Sequence, residues 1–568
     1  MAVLKIAGPG AGKTNNLVQS ILKRLNMGES PFMMLATTFS RQAAQEIEER
    51  LDEEVPVRTI HGMGYWILRL ARKARGDKVP RIITDQKVRA LVERAIQEVQ
   101  AKFIEIEQVI EAQERVRSHG TKFEHLHPQI QEVCTRYNQI LVAENMIDFT
   151  GILQEAAREM TDPGLLSFLK GLNIWVDEGQ DINPITEWPL IQALSDGSNS
   201  LTMYASPSQQ IYSFRGADWN QLSDCFPEDL EVEYMNANYR STPEIVAASK
   251  ALAGPDAQEM YAARSSIDSP VSLIDANNPD MEADYLLRQI NIWNDLGIDN
   301  SEIAVLCRVS SQMNTMQRLF KSRNIPFQIV GNKRKLFERP EILAALGFIH
   351  LANDPMSEKP LENIINFPPR GIGLRTRFKM RGNFKMGWDH LISVLGNNKE
   401  FRPQVHQRVL DILDLRENFI EIRKSSIPIS DMVSRIIDLS GIPEYLVSEG
   451  DYQAVKALDD LETASKEFSS LGMFVEYLES QINSPRDLSG VQLSTIHSSK
   501  GREYDAVIIP GMQDGMMPLK GSPMQDERNL GFVGMSRAKN HLVLTMPKTE
   551  TPSSLLLGVP VEVSQWPT

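Results

Sequence analysis

Cysteine is scarce and long apolar runs are missing in this chain of 568 residues. Its three cysteines, Cys134, Cys225 and Cys307, are far apart in the sequence, which excludes a disulfide framework and a zinc cluster. No stretch approaches the roughly 18–20 uninterrupted apolar residues of a membrane span, so we expect no contact with a membrane. Both features favour a reducing, cytoplasmic compartment.

An excess of positive charge is also missing. Lysine and arginine number 60 against 74 aspartates and glutamates, a net charge of −14, which argues against a protein that coats nucleic acid. A nucleic-acid motor stays open, because it needs only one basic groove. Hydrophobic residues make up 42% and charged residues 24%, ordinary values for a globular protein, so disorder as the main state is excluded.

Strand-like apolar runs alternate with helical patterns along the chain. A run at residues 3–7 precedes a glycine-rich loop and a helical pattern at 15–25, and strand-like runs return at 172–176. Such alternation is typical of parallel sheets covered by helices on both faces. Mainly helical stretches interrupt it twice.

We therefore predict an α/β fold with two parallel-sheet cores, each carrying a mainly helical insertion. The predicted limits are 1–62 and 148–235 for the first core, 63–147 for its insertion, 236–350 and 486–568 for the second core, and 351–485 for its insertion.

The glycine-rich loop is residues 7–14, Ala-Gly-Pro-Gly-Ala-Gly-Lys-Thr. It fits the phosphate-binding loop pattern except that Ala7 stands in the first glycine position. Glycines let backbone N–H groups surround phosphate oxygens, and the helix that follows adds the positive end of its dipole. We predict that Lys13 reaches the β- and γ-phosphates of ATP and that Thr14 holds Mg²⁺. The alternative is a glycine-rich turn that binds nothing.

Two carboxylates, Asp177 and Glu178, end the apolar strand at 173–176. Parallel strands deliver their carboxyl ends to the ligand crevice of a sheet. We predict that Asp177 holds Mg²⁺ and that Glu178 orients and deprotonates the attacking water. An Asp-Glu pair alone is usually solvated, so this prediction depends on the phosphate loop upstream.

The order of these motifs resembles the UvrD/Rep/PcrA branch of superfamily 1 DNA helicases, in which the phosphate loop begins with alanine. Further matches follow in the family's order: TFSRQAA at 38–44, TIHG at 59–62, DEGQD at 177–181, QQIYSFRGA at 209–217, NYRST at 238–242, TIHSSKGRE at 495–503 and VGMSRAK at 533–539. The resemblance implies two RecA-like P-loop domains, with ATP and Mg²⁺ in the cleft between them.

The resemblance also implies roles for single residues. Gln209 would sense the γ-phosphate, Tyr239 would stack on the adenine, and Glu503 would bind the ribose. Arg240 and Arg537 would be arginine fingers from the second core, although a surface ion pair is the alternative for both. The implied catalytic residues are Lys13, Asp177, Glu178, Gln209, Arg240 and Arg537, and the metal ligands are Thr14 and Asp177. The implied ATP-binding residues are Ala7, Gly8, Pro9, Gly10, Ala11, Gly12, Lys13, Thr14, Asn15, Tyr239, Gly501 and Glu503.

Aromatic side chains of the matching motifs would line a single-strand path, because stacking on bases tolerates any sequence. The implied DNA-binding residues are Phe39, Thr59, His61, Tyr212, Phe214, Arg370, Gly371 and Gly373. Core packing is the alternative for Tyr212 and Phe214. The last three belong to an Arg-Gly-Ile-Gly turn that opens a basic stretch at 370–385, where duplex phosphates could bind. A solvated basic helix face is the alternative there.

The sequence departs from the family pattern at three places. Asn15 stands where relatives often carry an arginine, so we expect weaker discrimination of adenine. Ala205-Ser206 replace the Gly-Asp that opens motif III, the family motif that continues with QQIYSFRGA at 209–217, which removes a carboxylate and lowers the expected turnover. Gly179 replaces a phenylalanine of motif II, so one apolar contact is lost.

Together the motifs predict an ATP-dependent helicase that moves 3′→5′ on single-stranded DNA and unwinds duplexes. The alternatives are a translocase that displaces proteins with little unwinding, and a degenerate ATPase that serves as a DNA-bound scaffold. Expected partners are single-stranded DNA, single-strand/duplex junctions and replication or repair proteins. We expect a monomer, or a dimer on DNA, in a bacterial or phage-infected cytoplasm.

Overall fold

The computed structural model describes residues 2–51, 55–83, 85–195, 199–228, 230–255, 257–276, 279–329, 340–370, 372, 374–381, 387–396, 401, 403–425, 427–448, 452–466, 468, 470–483, 490–547 and 551–565. Within these ranges, no helix is both long and apolar enough to cross a membrane.

The first sheet is fully parallel. Its described strands are β1 (Ala2–Ala7), β2 (Met34–Thr38), β3 (Val57–Thr59), β6 (Asn173–Val176), β7 (Ser200–Ala205) and β8 (Glu231–Met235). Their order is β3-β2-β6-β7-β1-β8. Strands β2 and β6 are buried along their whole length, as expected for parallel strands with helices on both faces.

Helices cover both faces of this sheet. On one face, Leu17 and Ile21 pack with Trp175 of the sheet. On the other face, Met63 and Leu153 belong to a second apolar cluster. The helices of this core are α1 (Lys13–Asn26), α2 (Arg41–Arg50), α3 (Ile60–Arg75), α7 (Phe149–Glu159), α8 (Pro163–Phe168), α9 (Trp188–Ser195) and α10 (Trp219–Ser223).

The first helical insertion has a core of its own, formed by residues such as Leu91, Val109 and Tyr137. It contains α4 (Asp85–Val99), α5 (Ile106–Ser118) and α6 (Pro128–Ala143), and the paired strands β4 (Arg81–Ile82) and β5 (Met146–Ile147). The limit predicted between residues 62 and 63 falls inside α3, whose Met63 and Ile67 pack in the first core.

The second sheet is also parallel, and alternate residues of its strands point to opposite faces. Val305 and Ile508 belong to the apolar cluster on one face, and Leu306 and Val507 belong to the cluster on the other. The described strands are β11 (Ser272–Ala276), β12 (Ile303–Cys307), β13 (Phe327–Ile329), β14 (Val491–Thr495), β15 (Tyr504–Ile509), β16 (Ala538–Pro547) and β17 (Glu562–Gln565), in the order β13-β14-β12-β15-β16-β11-β17.

Four helices pack on this sheet within the described ranges: α11 (Pro243–Ala253), α12 (Pro279–Asp295), α13 (Ser310–Ser322) and α23 (Met524–Met535). A short parallel pair, β9 (Ala237–Asn238) and β10 (Tyr261–Ala262), lies where the chain enters the second core.

The secondary-structure elements described in the second insertion are all helices. Its helices are α14 (Pro340–Asn353), α15 (Leu361–Ile364), α16 (Leu374–Arg381), α17 (Trp388–Gly396), α18 (Pro403–Lys424), α19 (Ile429–Ser440), α20 (Ile442–Ser448), α21 (Tyr452–Ser465) and α22 (Leu471–Asn483). Its apolar core includes Leu68 and Ile152 of the first core, so the insertion packs against helices of that core. The limit predicted between residues 350 and 351 falls inside α14.

Two α/β cores with parallel sheets and helical insertions confirm the predicted fold class, a pair of RecA-like domains. In the first sheet, β6, β7 and β1 are neighbours, so their carboxyl ends lie at one edge. The phosphate loop follows β1, Asp177 follows β6 and Ser206 follows β7. The fold therefore brings together three segments that are far apart in the sequence.

Candidate nucleotide cleft and nucleic-acid face

The phosphate loop turns sharply between β1 and α1. Gly10 and Gly12 have positive φ angles of 68° and 78°, which favour glycine, and Gly12 is the left-handed residue at the start of α1. A Cβ on Gly10 would lie 2.6 Å from the Cβ of Arg240, whereas a Cβ on Gly12 would meet no atom within 4 Å. The loop therefore packs tightly against the start of the second core at Gly10.

Lys13 lies at the centre of the cleft. Its Nζ donates a hydrogen bond to Oε1 of Gln209 at 3.3 Å. Burial lowers the pKa of Lys13, and the charge of Arg240 acts in the same direction. The carboxylates Asp177 and Glu178 oppose both effects. Three charged residues predicted to act on ATP thus lie close enough to Lys13 to shift its pKa.

Thr14 and Asp177 form an oxygen-rich corner beside Lys13. The Thr14 hydroxyl donates to Oδ2 of Asp177 at 3.2 Å. Burial and the neighbouring charge of Glu178 raise the pKa of Asp177 above its usual value. A divalent cation would offset this crowding of negative charge, and a hydroxyl and a carboxylate are ligands that suit Mg²⁺. Among the described residues, no group of three acidic, histidine or cysteine side chains gathers, so phosphate and water would complete the coordination.

Glu178 has an unusual backbone, with φ 54° and ψ 43°, the left-handed region. Its Oε2 accepts a hydrogen bond from Nε2 of Gln180. Burial alone would raise the pKa of Glu178, but the charges of Lys13 and Lys500 outweigh it and lower the pKa. The carboxylate is therefore held in its ionised form, which a general base requires.

Both predicted arginine fingers reach this cleft from the second core. Arg537 is 2% exposed, and its guanidinium donates to the carbonyl oxygen of Val533 at 2.8 Å. Burial, followed by the charge of Arg240, lowers the pKa of Arg537 to about 9, against the pull of Glu178. A surface ion pair is therefore the wrong description of Arg537. Arg240 does form an ion pair, with Nε 2.6 Å from Oε2 of Glu503.

The other predicted ATP-binding residues line the same cleft. Tyr239 is 67% exposed, and its backbone N–H donates to the carbonyl of Gly10 at 2.9 Å. Gly501 lies in a turn with φ 83°, two residues before Glu503. Asn15 is exposed on the first turn of α1. Glu503, predicted to bind ribose, accepts a hydrogen bond from Arg240 in this structure.

Sequence reasoning missed two residues of this cleft, although both lie inside quoted motifs. Asn238 donates from Nδ2 to the carbonyl of Pro9 at 2.8 Å, and its Oδ1 accepts from the backbone N–H of Arg240 at 2.9 Å. Lys500 donates from Nζ to Asp181 and to the carbonyl of Gln209. The signal for this turn is the asparagine itself, because its side chain readily accepts a hydrogen bond from the backbone N–H two residues later.

The loss expected at Gly179 is compensated. A Cβ on Gly179 would lie 2.7 Å from Cγ and Sδ of Met203, so the methionine already fills the space beside this glycine. An apolar side chain of β7 therefore packs against this position.

Three of the predicted DNA-binding aromatic residues lie together where the two cores meet. Phe39 and Tyr212 stack with ring centroids 4.7 Å apart, and Phe214 lies 6.0 Å from Tyr212. Phe214 is 65% exposed, so core packing does not describe it. The guanidinium of Arg215 lies 5.0 Å from the ring of Phe39. His497 of the second core lies 6.4 Å from Phe214, so the aromatic face extends across both cores.

The remaining predicted DNA-binding residues of the first core serve other contacts. His61 stacks on Phe149 at 3.7 Å, and burial together with Arg215 lowers the pKa of His61 to about 3, so the ring is neutral. Thr59 is buried, and its hydroxyl oxygen accepts from the backbone N–H of Gly62 at 3.1 Å. Thr59 is thus the N-cap of α3.

The prediction that Arg370 grips duplex phosphates is corrected by its contacts. Its guanidinium donates to the carbonyl oxygens of Ile364 and Phe367 at 2.8 and 2.6 Å, and to that of Ser440 at 3.3 Å. Burial lowers its pKa to about 10. Arg370 therefore holds a turn inside the second insertion. Gly371 and Gly373 lie outside the described residues.

A phosphate loop in one RecA-like core, two arginines of the other core beside it and an aromatic face across both define the class of protein. Such a chain is a two-core motor ATPase.

Comparison with known proteins identifies the family. The chain matches the UvrD/REP helicase N-terminal domain over residues 2–227 and the UvrD-like helicase C-terminal domain over residues 234–395 and 452–549. DNA helicase II of Escherichia coli is 27% identical over 609 residues, covering 96% of this chain and 82% of that protein. PcrA helicases of Staphylococcus epidermidis and Staphylococcus aureus are 27% and 25% identical, covering 96% and 98% of this chain and 81% and 84% of those proteins.

The chain belongs to the UvrD/Rep/PcrA-like family of superfamily 1 DNA helicases. It is an ATP-hydrolysing helicase of that family.

The contact between the phosphate loop and the second core predicts different effects for two alanine substitutions. Gly10→Ala and Gly12→Ala both place a side chain at positive φ, which costs about 1–2 kcal/mol. Gly10→Ala also drives its Cβ into Arg240, and such overpacking adds about 1–3 kcal/mol. We expect a lower melting temperature for Gly10→Ala than for Gly12→Ala, measured by calorimetry without nucleotide. Equal melting temperatures would show that the loop and the second core are not in tight contact.

Proposed function

We propose that this helicase moves along single-stranded DNA from 3′ to 5′ and unwinds duplexes, powered by hydrolysis of ATP·Mg²⁺ between its two cores. The observation that carries this proposal is the position of Arg537. It comes from the second core, yet it is buried in the cleft that holds Lys13 and Glu178, and its charge affects Glu178. Closing or opening this cleft changes the position of one core relative to the other, which a motor requires.

The cleft residues support a direct attack of water on the γ-phosphorus. Glu178 accepts a proton from the water as its oxygen bonds to phosphorus, and the bond to the β–γ bridging oxygen breaks. Lys13, Arg240 and Arg537 neutralise the charge that spreads over the phosphoryl oxygens. Thr14 and Asp177 would hold Mg²⁺, which would supply positive charge to offset that of the phosphates.

A chain of contacts supports coupling between this chemistry and DNA. Gln209 accepts a hydrogen bond from Lys13 through its side chain and one from Lys500 through its backbone carbonyl. The ammonium of Lys500 lies 5.0 Å from the ring centroid of Tyr212, in the aromatic face. A shift of Gln209 that follows the γ-phosphate would therefore reach the residues on which bases stack.

The aromatic face suits single-stranded DNA of any sequence. Stacking on Phe39, Tyr212 and Phe214 requires only the flat face of a base. The 3′→5′ direction follows from the family resemblance. Since one chain supplies the phosphate loop and both arginines, a monomer contains a complete site. We infer that it works as a monomer at single-strand/duplex junctions, in replication or repair.

A second candidate function is displacement of proteins from DNA with little unwinding. The contacts of Arg370 favour it, because its guanidinium donates to carbonyl oxygens of the protein and is then not directed at duplex phosphates. Strand separation on 3′-tailed and 5′-tailed duplexes distinguishes the two functions when streptavidin displacement is measured in parallel. Displacement without strand separation would favour the second candidate, and separation of 3′-tailed duplexes would favour the first.

The cleft predicts that ATP hydrolysis depends on the second core. We expect single-stranded DNA to stimulate the ATPase of the wild type. Arg537→Lys keeps the charge but loses the planar fork, and Arg240→Ala removes one cation; we expect each to lower kcat, by up to about 10³–10⁵-fold for loss of a finger. The control is Arg158→Ala, whose side chain is 74% exposed on α7, away from the cleft. An ATPase that DNA leaves unchanged would contradict the proposal.

The aromatic face predicts a loss of DNA affinity in Phe214→Ala. Removing one stacking ring costs about 1–3 kcal/mol per base, or roughly 5- to 150-fold in the dissociation constant for single-stranded DNA. Phe32→Ala is a matched control, since Phe32 is 75% exposed but precedes β2 at the opposite edge of the sheet. Fluorescence anisotropy with a labelled oligonucleotide measures both. Equal affinities for the two variants would show that the bases bind elsewhere.

A further inference from the structure

Gln180 makes two hydrogen bonds that join the catalytic carboxylate to the next strand of the sheet. Its side chain is fully buried, with 0% exposure. Its Nε2 donates to Oε2 of Glu178, and its Oε1 accepts from the backbone N–H of Ser206 at 2.7 Å. Ser206 follows β7 and is itself buried. The amide therefore lies between Glu178 and the first residues of motif III.

The donor and acceptor roles of its two partners determine how the side-chain amide of Gln180 is oriented. A backbone N–H can only donate, so the atom that faces Ser206 must be the carbonyl oxygen of the Gln180 side chain. The NH₂ group must then point to Glu178, where it meets an acceptor. One of the two carboxylate oxygens of Glu178 is thereby occupied, and the other, Oε1, is left for the attacking water.

Close packing around Gln180 fixes the distance between the backbone at Glu178 and Gln180 and the neighbouring strand β7. Gly179 leaves no room for a side chain beside Met203 of β7, so the backbone that carries Gln180 lies directly against that strand. Glu178 itself is in a left-handed conformation that a residue with a side chain adopts only when its surroundings enforce it. A buried hydrogen bond on its carboxylate is one such constraint.

The residue at position 206 makes the Gln180 bridge especially important in this chain. Ser206 stands where the family pattern has an aspartate, so no carboxylate is present there to interact with the cleft. The contact from Ser206 to Gln180 is made by the backbone, which does not depend on the identity of the side chain. Gln209 lies three residues further on and donates its N–H to the carbonyl of Ser206 at 2.8 Å.

We propose that Gln180 is a positioning residue for ATP hydrolysis, which sets the orientation of the Glu178 carboxylate from the backbone of motif III. This inference rests on the proposed role of Glu178 as the general base. Because Gln209, Tyr212 and Phe214 belong to the same segment as Ser206, a displacement of that segment by DNA moves the Ser206 N–H that donates to Gln180. Gln180 then transmits the presence of DNA to the base that activates water.

Two substitutions at Gln180 test its two hydrogen bonds. Gln180→Met keeps the length of the side chain and loses both hydrogen bonds. Gln180→Glu keeps the acceptor for Ser206 but, when ionised, has no proton to donate to Glu178. We expect both variants to lower kcat of the DNA-stimulated ATPase by about 10- to 100-fold, the effect of a misplaced catalytic group. We expect KM for ATP to stay close to the wild-type value, whereas the melting temperature falls, because Gln180→Met leaves the buried Ser206 N–H unpaired and Gln180→Glu buries a second carboxylate beside Glu178.

A matched control is Gln312→Met in the second core. Gln312 also bridges a backbone N–H, of Arg308, and a backbone carbonyl, of Pro510, at 2.9 and 2.8 Å. It is not in contact with Glu178, so we expect no comparable fall in kcat. Unchanged kcat in Gln180→Met, or an equal fall in Gln312→Met, would overturn the positioning role.

Glu178→Gln distinguishes failure of this inference from failure of the proposed function. If Glu178→Gln abolishes hydrolysis while Gln180→Met is fully active, only the role of Gln180 is wrong. If Glu178→Gln hydrolyses ATP at the wild-type rate, Glu178 is not the base and the proposed mechanism is wrong as well. Binding of a fluorescent ATP analogue to each variant shows that the cleft is intact.

Discussion

Two hydrogen bonds between the phosphate loop and the entrance to the second core hold the cleft together. Asn238 donates from its side chain to the carbonyl of Pro9, and the backbone N–H of Tyr239 donates to the carbonyl of Gly10. The next residue is Arg240, so a cation of the second core is tied to the loop that carries Lys13. This contact brings Arg240 close enough to Lys13 for the two charges to interact.

The cleft also brings several charged side chains together in a buried place. Burial and the charge of Arg240 lower the pKa of both Lys13 and Arg537, and nearby carboxylates, Glu178 among them, oppose this effect. A polyanion such as a triphosphate relieves this repulsion, and a cation beside Thr14 and Asp177 relieves the crowding of the two carboxylates. Binding of the nucleotide and association of the two cores are therefore favoured by the same electrostatic term.

The backbone of this site could be predicted from local sequence, but the orientation of several side chains could not. The phosphate loop and the acidic pair after β6 are short patterns whose geometry depends on adjacent residues. Arg370 looked like a phosphate ligand, yet carbonyl oxygens as distant as that of Ser440 hold its guanidinium. Thr59 has a hydroxyl that caps its own helix. Met203 fills the space beside Gly179, which only the strand order reveals.

The central claim is that hydrolysis between the two cores drives movement along one DNA strand in one direction. The most direct measurement is stopped-flow fluorescence with single strands of increasing length, labelled at the 5′ or the 3′ end, after ATP addition. We expect a delay that grows with length for the 5′ label and no such growth for the 3′ label, and no delay that depends on length in Lys13→Ala. Signals from wild-type protein that do not depend on strand length at either end would contradict the claim.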